Sequence, residues 1–238
     1  MSCPNPDSHQ PRAKRQGTRP PQPANPGDDP LQGRRPTSHE RRSGRSWDAS
    51  YLDGSPPWDI GRPQPAVLRL VSAGRWVGPV LDAGCGTGEN ALHIAATRGL
   101  PVLGVDVAET ALTIARKKAR ARGIEAEFAA ADALELSRLG RVFATVLDCG
   151  LFHTFRGAER RKYAASLAPV TRHAGTLYVL CFSDSGADLG PHPVSQEELR
   201  AAFGPGSGWN IRAIEPERIE TRDHQHDGPA WLATIRRG

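Results

Sequence analysis

From residue 80 onward the chain alternates short apolar runs with amphipathic stretches, so the spacing of buried positions switches repeatedly between a strand period and a helix period. Apolar runs at 80–83, 102–106, 127–131, 142–148 and 176–182 have the length of strands. The stretch 89–98 reads as a helix. In the next one, Ala108, Ala111, Leu112, Ala115 and Ala119 fall on one helical stripe, while Arg116, Lys117, Lys118 and Arg120 lie elsewhere on the helix. That charge run reads as a solvated face, not as a phosphate site. Helices around 159–167 and 195–203, with strand-like runs near 209–214 and 229–235, bring the expected number of strands to seven. Repeated βα units predict an α/β domain with a mostly parallel sheet covered by helices on both faces. No internal repeat is visible.

Upstream, the pattern disappears. Residues 1–46 contain nine prolines and almost no large apolar side chains, too little to offset the entropy of ordering, and are expected to form a disordered tail. The domain is expected to span 47–238, beginning with an aromatic segment, WDASYLDGSPPWDIGRPQP, within 47–75. The tail also accounts for the net charge of +5, because residues 1–46 hold nine Lys/Arg against four Asp/Glu while the other 192 residues carry 22 of each. A neutral body argues against a nucleic-acid partner, whose phosphates would call for a basic folded face.

Four cysteines without CxxC or Cys/His spacing disfavour a zinc site and a disulfide framework, and no metal is expected. Absence of a membrane-length apolar stretch and of a signal-peptide core predicts a cytoplasmic protein with no membrane partner. No obligate protein partner is indicated.

The strongest chemical signal is VLDAGCGTGENALHIA at 80–95, where an apolar strand ends in Asp82 and runs through Gly84, Gly86 and Gly88 into a helix. A dinucleotide loop reads GxGxxG and seats a pyrophosphate on the helix N-terminus; this loop reads GxGxG. Here the sequence resembles class I methyltransferases that use S-adenosylmethionine (SAM), which implies a Rossmann-like fold and SAM as cofactor. The resemblance places Asp82 near the methionine amino group and the methionine and ribose portion in the glycine turn. PVLGVDV at 101–107 ends a strand in Asp106, suited to accept from both ribose hydroxyls, with Val107 beside the adenine; taken alone, Asp106 equally suits a helix cap. Ala131-Asp132-Ala133 ends a third strand, and the resemblance carries Asp132 to the adenine amino group. Trp58, Cys85, Asn90, Ala133 and Asp148 complete the expected cofactor set, Asp148 either lining the methionine site or capping the following turn.

The fourth strand ends in LDCGLFHTF at 147–155, without the NPPY-like sequence of enzymes that methylate adenine in DNA. With the aromatic segment and TLYVLCFSD, this stretch is similar to a bacterial branch of small-molecule methyltransferases that includes heterocyclic toxin and thiopurine-type enzymes. Methyl transfer from a sulfonium is an in-line displacement, so the protein must mainly align the partners and exclude water. His153 is the candidate base for a hydroxyl or ring NH acceptor, or else only shapes the pocket. Trp47 and Tyr51, with Trp58, form either a lid or core packing. Phe152 and Phe182 either extend the acceptor pocket or lie in the core. His93 reads as structural, and His224 and His226 as a polar loop. The expected activity is methylation of O or N on a heteroaromatic or phenolic small molecule. Thiol S-methylation, SAM binding without catalysis and nucleotide-dependent oxidoreduction are the alternatives.

Overall fold

The computed structural model describes residues 33–73, 76–185, 192–222 and 227–238. Three short helices come first: α1 (Ser38–Ser43), α2 (Ala49–Leu52) and α3 (Pro65–Ser72). They lead into β1 (Val80–Ala83), α4 (Glu89–Arg98), β2 (Val102–Asp106), α5 (Glu109–Arg122), β3 (Glu127–Ala130), a 3-10 helix (Ala133–Leu139) and β4 (Phe143–Cys149). A 3-10 turn (Phe152–Thr154), α6 (Ala158–Leu167), β5 (Thr171–Phe182), α7 (Gln196–Phe203), β6 (Trp209–Ile219) and β7 (Gly228–Arg237) complete the chain.

All seven strands share one sheet in the order β3-β2-β1-β4-β5-β7-β6. Strands β1 to β5 run parallel, β7 is antiparallel to β5, and β6 is antiparallel to β7. This is the mostly parallel α/β sheet the periodicity predicts, in the Rossmann-like architecture the resemblance implies. Strand β1 is buried along its whole length and β4 in all but its last residue, as central parallel strands covered on both faces must be. On one face Leu92, Ile94 and Leu112 of α4 and α5 pack with Val80, Trp76 and Tyr178. On the other, Phe143, Phe152, Tyr163, Leu167 and Phe203 join α6 and α7 to the sheet. The order reverses between β1 and β4, and the carboxyl ends of those strands open a crevice there.

Two strand boundaries differ from the sequence reading by more than two residues. Strand β5 begins at Thr171, and β6 continues to Ile219 through the polar run EPERI, held by backbone pairing to β7 that needs no apolar alternation. The charge run on α5 is also less free than expected. Lys117 and Arg120 are exposed, but Arg116 donates to the Phe128 carbonyl at 3.1–3.2 Å, and Lys118 and Arg122 grip the buried Glu89 at 2.9 and 2.8 Å, stapling α5 to the start of α4.

The expected tail boundary is corrected most. Residues 33–46 are folded onto the body, and α1 carries a full capping box between Thr37 and Glu40. Glu40 is 4% exposed and accepts from Arg34 at 2.6 Å, from the Thr37 amide at 2.9 Å and from the Trp47 amide at 3.1 Å. Burial pushes this carboxyl up, but Arg34 and the two amides outweigh it and hold Glu40 below its ordinary range. Glu159 on α6 clamps the helix from outside, accepting from the Ser38 amide at 3.0 Å and from Arg41 at 3.0 Å. The anchors are polar, which is why a search for apolar side chains passes over them. Residues 1–32, and with them most of the expected tail, lie outside the described residues. No helix among the described residues is long and apolar enough to cross a membrane.

Candidate active site

A cleft of about 600 Å³ lies over the carboxyl ends of β1, β2 and β4, roofed by the segment from Arg34 to Gln64. Its floor starts at the glycine loop, where the Gly84 and Cys85 amides donate to the Val105 carbonyl at 2.8 and 2.9 Å. Gly86 sits at φ 52°, its amide donates to Asp106 Oδ2 at 2.9 Å, and a Cβ there would lie 3.0 Å from the Tyr51 hydroxyl. Gly88, at φ 83°, lets α4 start tight against its neighbours, since a Cβ would come within 2.9 Å of Ala115 and the Phe128 ring. Both positions need the left-handed conformation and the missing side chain together.

The four acids at or near strand ends separate by depth. Asp106 and Asp132 line the cleft. Asp106 also accepts from the Ala108 amide at 2.9 Å, and Asp132 caps the following 3-10 helix through the Leu134 amide at 2.8 Å, so each carboxylate both caps and faces the cleft. Burial raises Asp106, opposed by the amides of Ala108, Gly86 and Val107. Asp82, expected near the methionine amino group, and Asp148, expected either to line the methionine site or to cap the following turn, are not among the residues that line the cleft and are 1% and 0% exposed. Asp148 Oδ1 accepts from the Leu151 and Phe152 amides at 2.9 and 3.2 Å, the turn-capping role. Its Oδ2 and Asp82 Oδ2 make no hydrogen bond among the described residues, and the buried Tyr163 hydroxyl beside Asp148 has none of good geometry. Burial pushes both carboxyls up to about 7, with Asp148 and then Asp106 raising Asp82 further.

Cys85, Val107 and Ala133, named above for the cofactor set, line the cleft. So does Asn90, whose Oδ1 accepts the Gln64 amide at 3.0 Å and ties the end of the roof to α4. The roof is further held by Asp48, which accepts from the Thr110 amide at 2.7 Å, and by Asp59, which accepts from Thr87 Oγ1 at 3.0 Å. Trp47, Tyr51 and Trp58 line it together. Trp58 Nε1 donates to the Tyr51 hydroxyl at 3.0 Å, and the rings of Trp47 and Trp58 meet edge to face at 5.7 Å. Tyr51 serves both readings, being packed on Ala108 and Ala111 while its hydroxyl reaches the glycine loop.

His153 and Phe182 form a wall of the cleft, their ring centres 4.9 Å apart. The Phe182 amide donates a long hydrogen bond of 3.4 Å to His153 Nδ1. Burial, with smaller contributions from His192, His39 and Arg160, pushes His153 down to about 3. Phe152 does not reach the cleft. It is wholly buried between Tyr163, Phe203 and the Arg160 guanidinium, because the 3-10 turn that aims His153 outward aims its neighbour into the core.

Two histidines of the cleft have no counterpart in the sequence reading. His39, on α1, stacks on Trp47 with centroids 4.2 Å apart, and its Nδ1 lies 3.4 Å from His192 Nε2. These histidines sit 153 positions apart in no motif, and one falls in the stretch read as tail. His93 lies on α4 away from the cleft, and His224 and His226 lie outside the described residues.

Comparison with known proteins agrees with this geometry. A family described as "Methyltransferase domain" matches residues 80–175. Over 184 residues the chain is 36% identical to the 2-heptyl-1-hydroxyquinolin-4(1H)-one methyltransferase of Mycobacteroides abscessus, spanning 75% of this chain and 80% of that protein. It is 28% identical over 193 residues to "Probable thiol methyltransferase 2" of Arabidopsis thaliana, spanning 79% of this chain and 85% of the relative. Among solved structures, one described as "Conversion of a Disulfide Bond into a Thioacetal Group during Echinomycin Biosynthesis" superposes with a TM-score of 0.72 at 40% identity, covering 80% of this chain and 91% of that one.

Proposed function

Because the chain belongs to the class I SAM-dependent methyltransferases, we propose that its acceptor is the oxygen or nitrogen of a small heteroaromatic or phenolic molecule. The observation that carries this reading is the covered cleft itself, walled by Trp47, Trp58 and Phe182 and supplied with the imidazoles of His39 and His153. Flat aromatic walls suit a planar ring, and a roofed cleft of about 600 Å³ is within the size range of small-molecule sites.

The residues fit SAM. Glycines at 84 and 86 leave their two positions on the loop floor free of side chains, and a Cβ at Gly86 would crowd Tyr51. Asp106 and Asp132 each offer a carboxylate to the cleft, suited to the ribose hydroxyls and the adenine amino group, with Val107 and Ala133 beside them. Asp82, in the strand that leads into the same loop, keeps a buried Oδ2 with no hydrogen-bond partner among the described residues. Bound SAM supplies an electrophilic methyl group on a sulfonium.

The chain's own residues then do three things. Trp47, Tyr51 and Trp58 close the roof, exclude water and present ring faces that attract a cation. Asn90, Asp48 and Asp59 fix that roof on the helices below. His153 and Phe182 orient the acceptor. Incubation with SAM and a panel of phenols, hydroxyquinolones and thiols, read by mass spectrometry, tests the proposal: products heavier by one methylene are expected from the oxygen or nitrogen acceptors. The second reading, S-methylation, is favoured by the likeness to the thiol and thiocyanate methyltransferases, and exclusive turnover of the thiols would select it.

A further inference from the structure

The three cleft histidines are wired in an unusual sense. His192 Nδ1 faces two guanidinium groups, that of Arg42 and that of Arg156 at 3.2 Å. A guanidinium only donates, so Nδ1 is an acceptor and the ring proton of neutral His192 sits on Nε2. That Nε2–H points at His39 Nδ1, which fixes the proton of His39 on its own Nε2. His153 reaches the same tautomer by another route, because its Nδ1 takes the Phe182 amide. Among the described residues, neither His39 Nε2 nor His153 Nε2 has a hydrogen-bond partner, and both rings line the cleft.

A histidine built to take a proton is oriented by a carboxylate that stabilises the imidazolium. Here the orienting groups are a backbone amide and, through His192, two cations. The titratable and charged groups around His39 are Arg42, His192 and Glu40, and Glu40 is engaged by Arg34, Thr37 and Trp47. Around His153 they are His192, His39 and Arg160. Burial first, then these cations, hold His192 down at about 4 and lower His39 as well. All three rings are therefore neutral near pH 7 and offer N–H groups in a locally positive field.

We infer that the acceptor binds as an anion, its nucleophilic atom held by the Nε2–H groups of His39 and His153, and that no side chain acts as base in the transfer. This rests on the reading above that the acceptor carries an ionisable oxygen or nitrogen, and adds its charge state. The acceptor's proton has gone to water before binding. Its lone pair forms the bond to the methyl carbon, the pair of the broken carbon–sulfur bond stays on sulfur, and opposite charges cancel within the closed cleft. The specificity that follows is for acidic acceptors, those whose own pKa lies near or below the working pH.

The test uses a series of acceptors of one type with graded pKa values, chosen from those methylated in the panel. The pH profile of kcat/KM is expected to inflect at each acceptor's own pKa; one inflection common to the whole series would overturn the inference. His39→Phe removes the N–H and should lower kcat/KM about 10- to 100-fold, the usual loss for a hydrogen bond to a charged group. His39→Gln keeps an N–H donor that cannot serve as a base and should recover most of that loss; a Gln variant as poor as Phe counts against the donor role. Without SAM, a nitrophenol that serves as an acceptor, mixed with protein at a pH below its solution pKa, should develop the nitrophenolate absorption band, and bound but colourless nitrophenol sinks the idea. If only thiols are turned over, the reading of the acceptor atom fails, while the same profiles on a thiol series still decide the charge state.

Discussion

Replacing Asp148 by Asn should stabilise the protein in neutral solution while leaving its acid stability nearly unchanged. Asp82 and Asp148 end adjacent parallel strands, both fully buried, each with one oxygen lacking a partner among the described residues. Raising a carboxyl from 3.8 to about 7 corresponds to roughly 4 kcal/mol per group at about 1.4 kcal/mol per decade, and the two interact, so they titrate as a pair. Because the folded pKa lies above the unfolded one, the stability from the protonated pair is complete below about pH 4 and is lost progressively up to about pH 7. The side-chain amide introduced by Asp148→Asn would keep the acceptor that caps the Leu151 and Phe152 amides and would remove one charge from beside Asp82. Urea unfolding of the ligand-free protein across this range should show the variant about 2–4 kcal/mol more stable than wild type near pH 8, with the gap closing toward pH 4. The difference between variant and wild type is the quantity to read, since His153, lowered from 6.5 to about 3, opposes the trend by losing stability as the pH falls below 6.5. Parallel stability curves for the two proteins would mean that these carboxyls ionise normally, and the account of a dry polar pair beneath the cleft would be wrong.

Three further outcomes follow from the geometry. Gly88→Ala would force a Cβ at φ 83° to within 2.9 Å of Ala115 and Phe128; a loss of at least about 2 kcal/mol should appear in thermal unfolding. Glu40→Ala leaves Arg34 and the Thr37 and Trp47 amides unmatched, and breaking such a buried pair costs about 3–5 kcal/mol, here charged to the roof alone. Limited proteolysis near α1 should accelerate and KM for the acceptor rise, while the melting transition of the sheet moves little. Phe152→Ala should cost about 3–5 kcal/mol of stability with KM unchanged in the surviving fraction, whereas Phe182→Ala should raise KM; an altered acceptor preference in the Phe152 variant would contradict its place in the core.

The alternation from residue 80 onward determined the seven strands, their helices and the glycine loop with its strand-end acids, because those signals are local: a buried parallel strand reads as an apolar run, and a tight turn against a helix needs glycine. Depth was not legible. Asp82, Asp106, Asp132 and Asp148 sit at or near strand ends, yet two face the cleft and two lie beneath it, a distinction set by how the 150–154 turn and the roof pack above them. Phe152 and His153 are neighbours whose opposite fates depend on one 3-10 turn. The roof before Trp47 and the His39–His192 pairing were decided by tertiary structure alone, since polar anchors such as Glu40 and Glu159 leave no period in the sequence and contacts across 153 positions leave no motif.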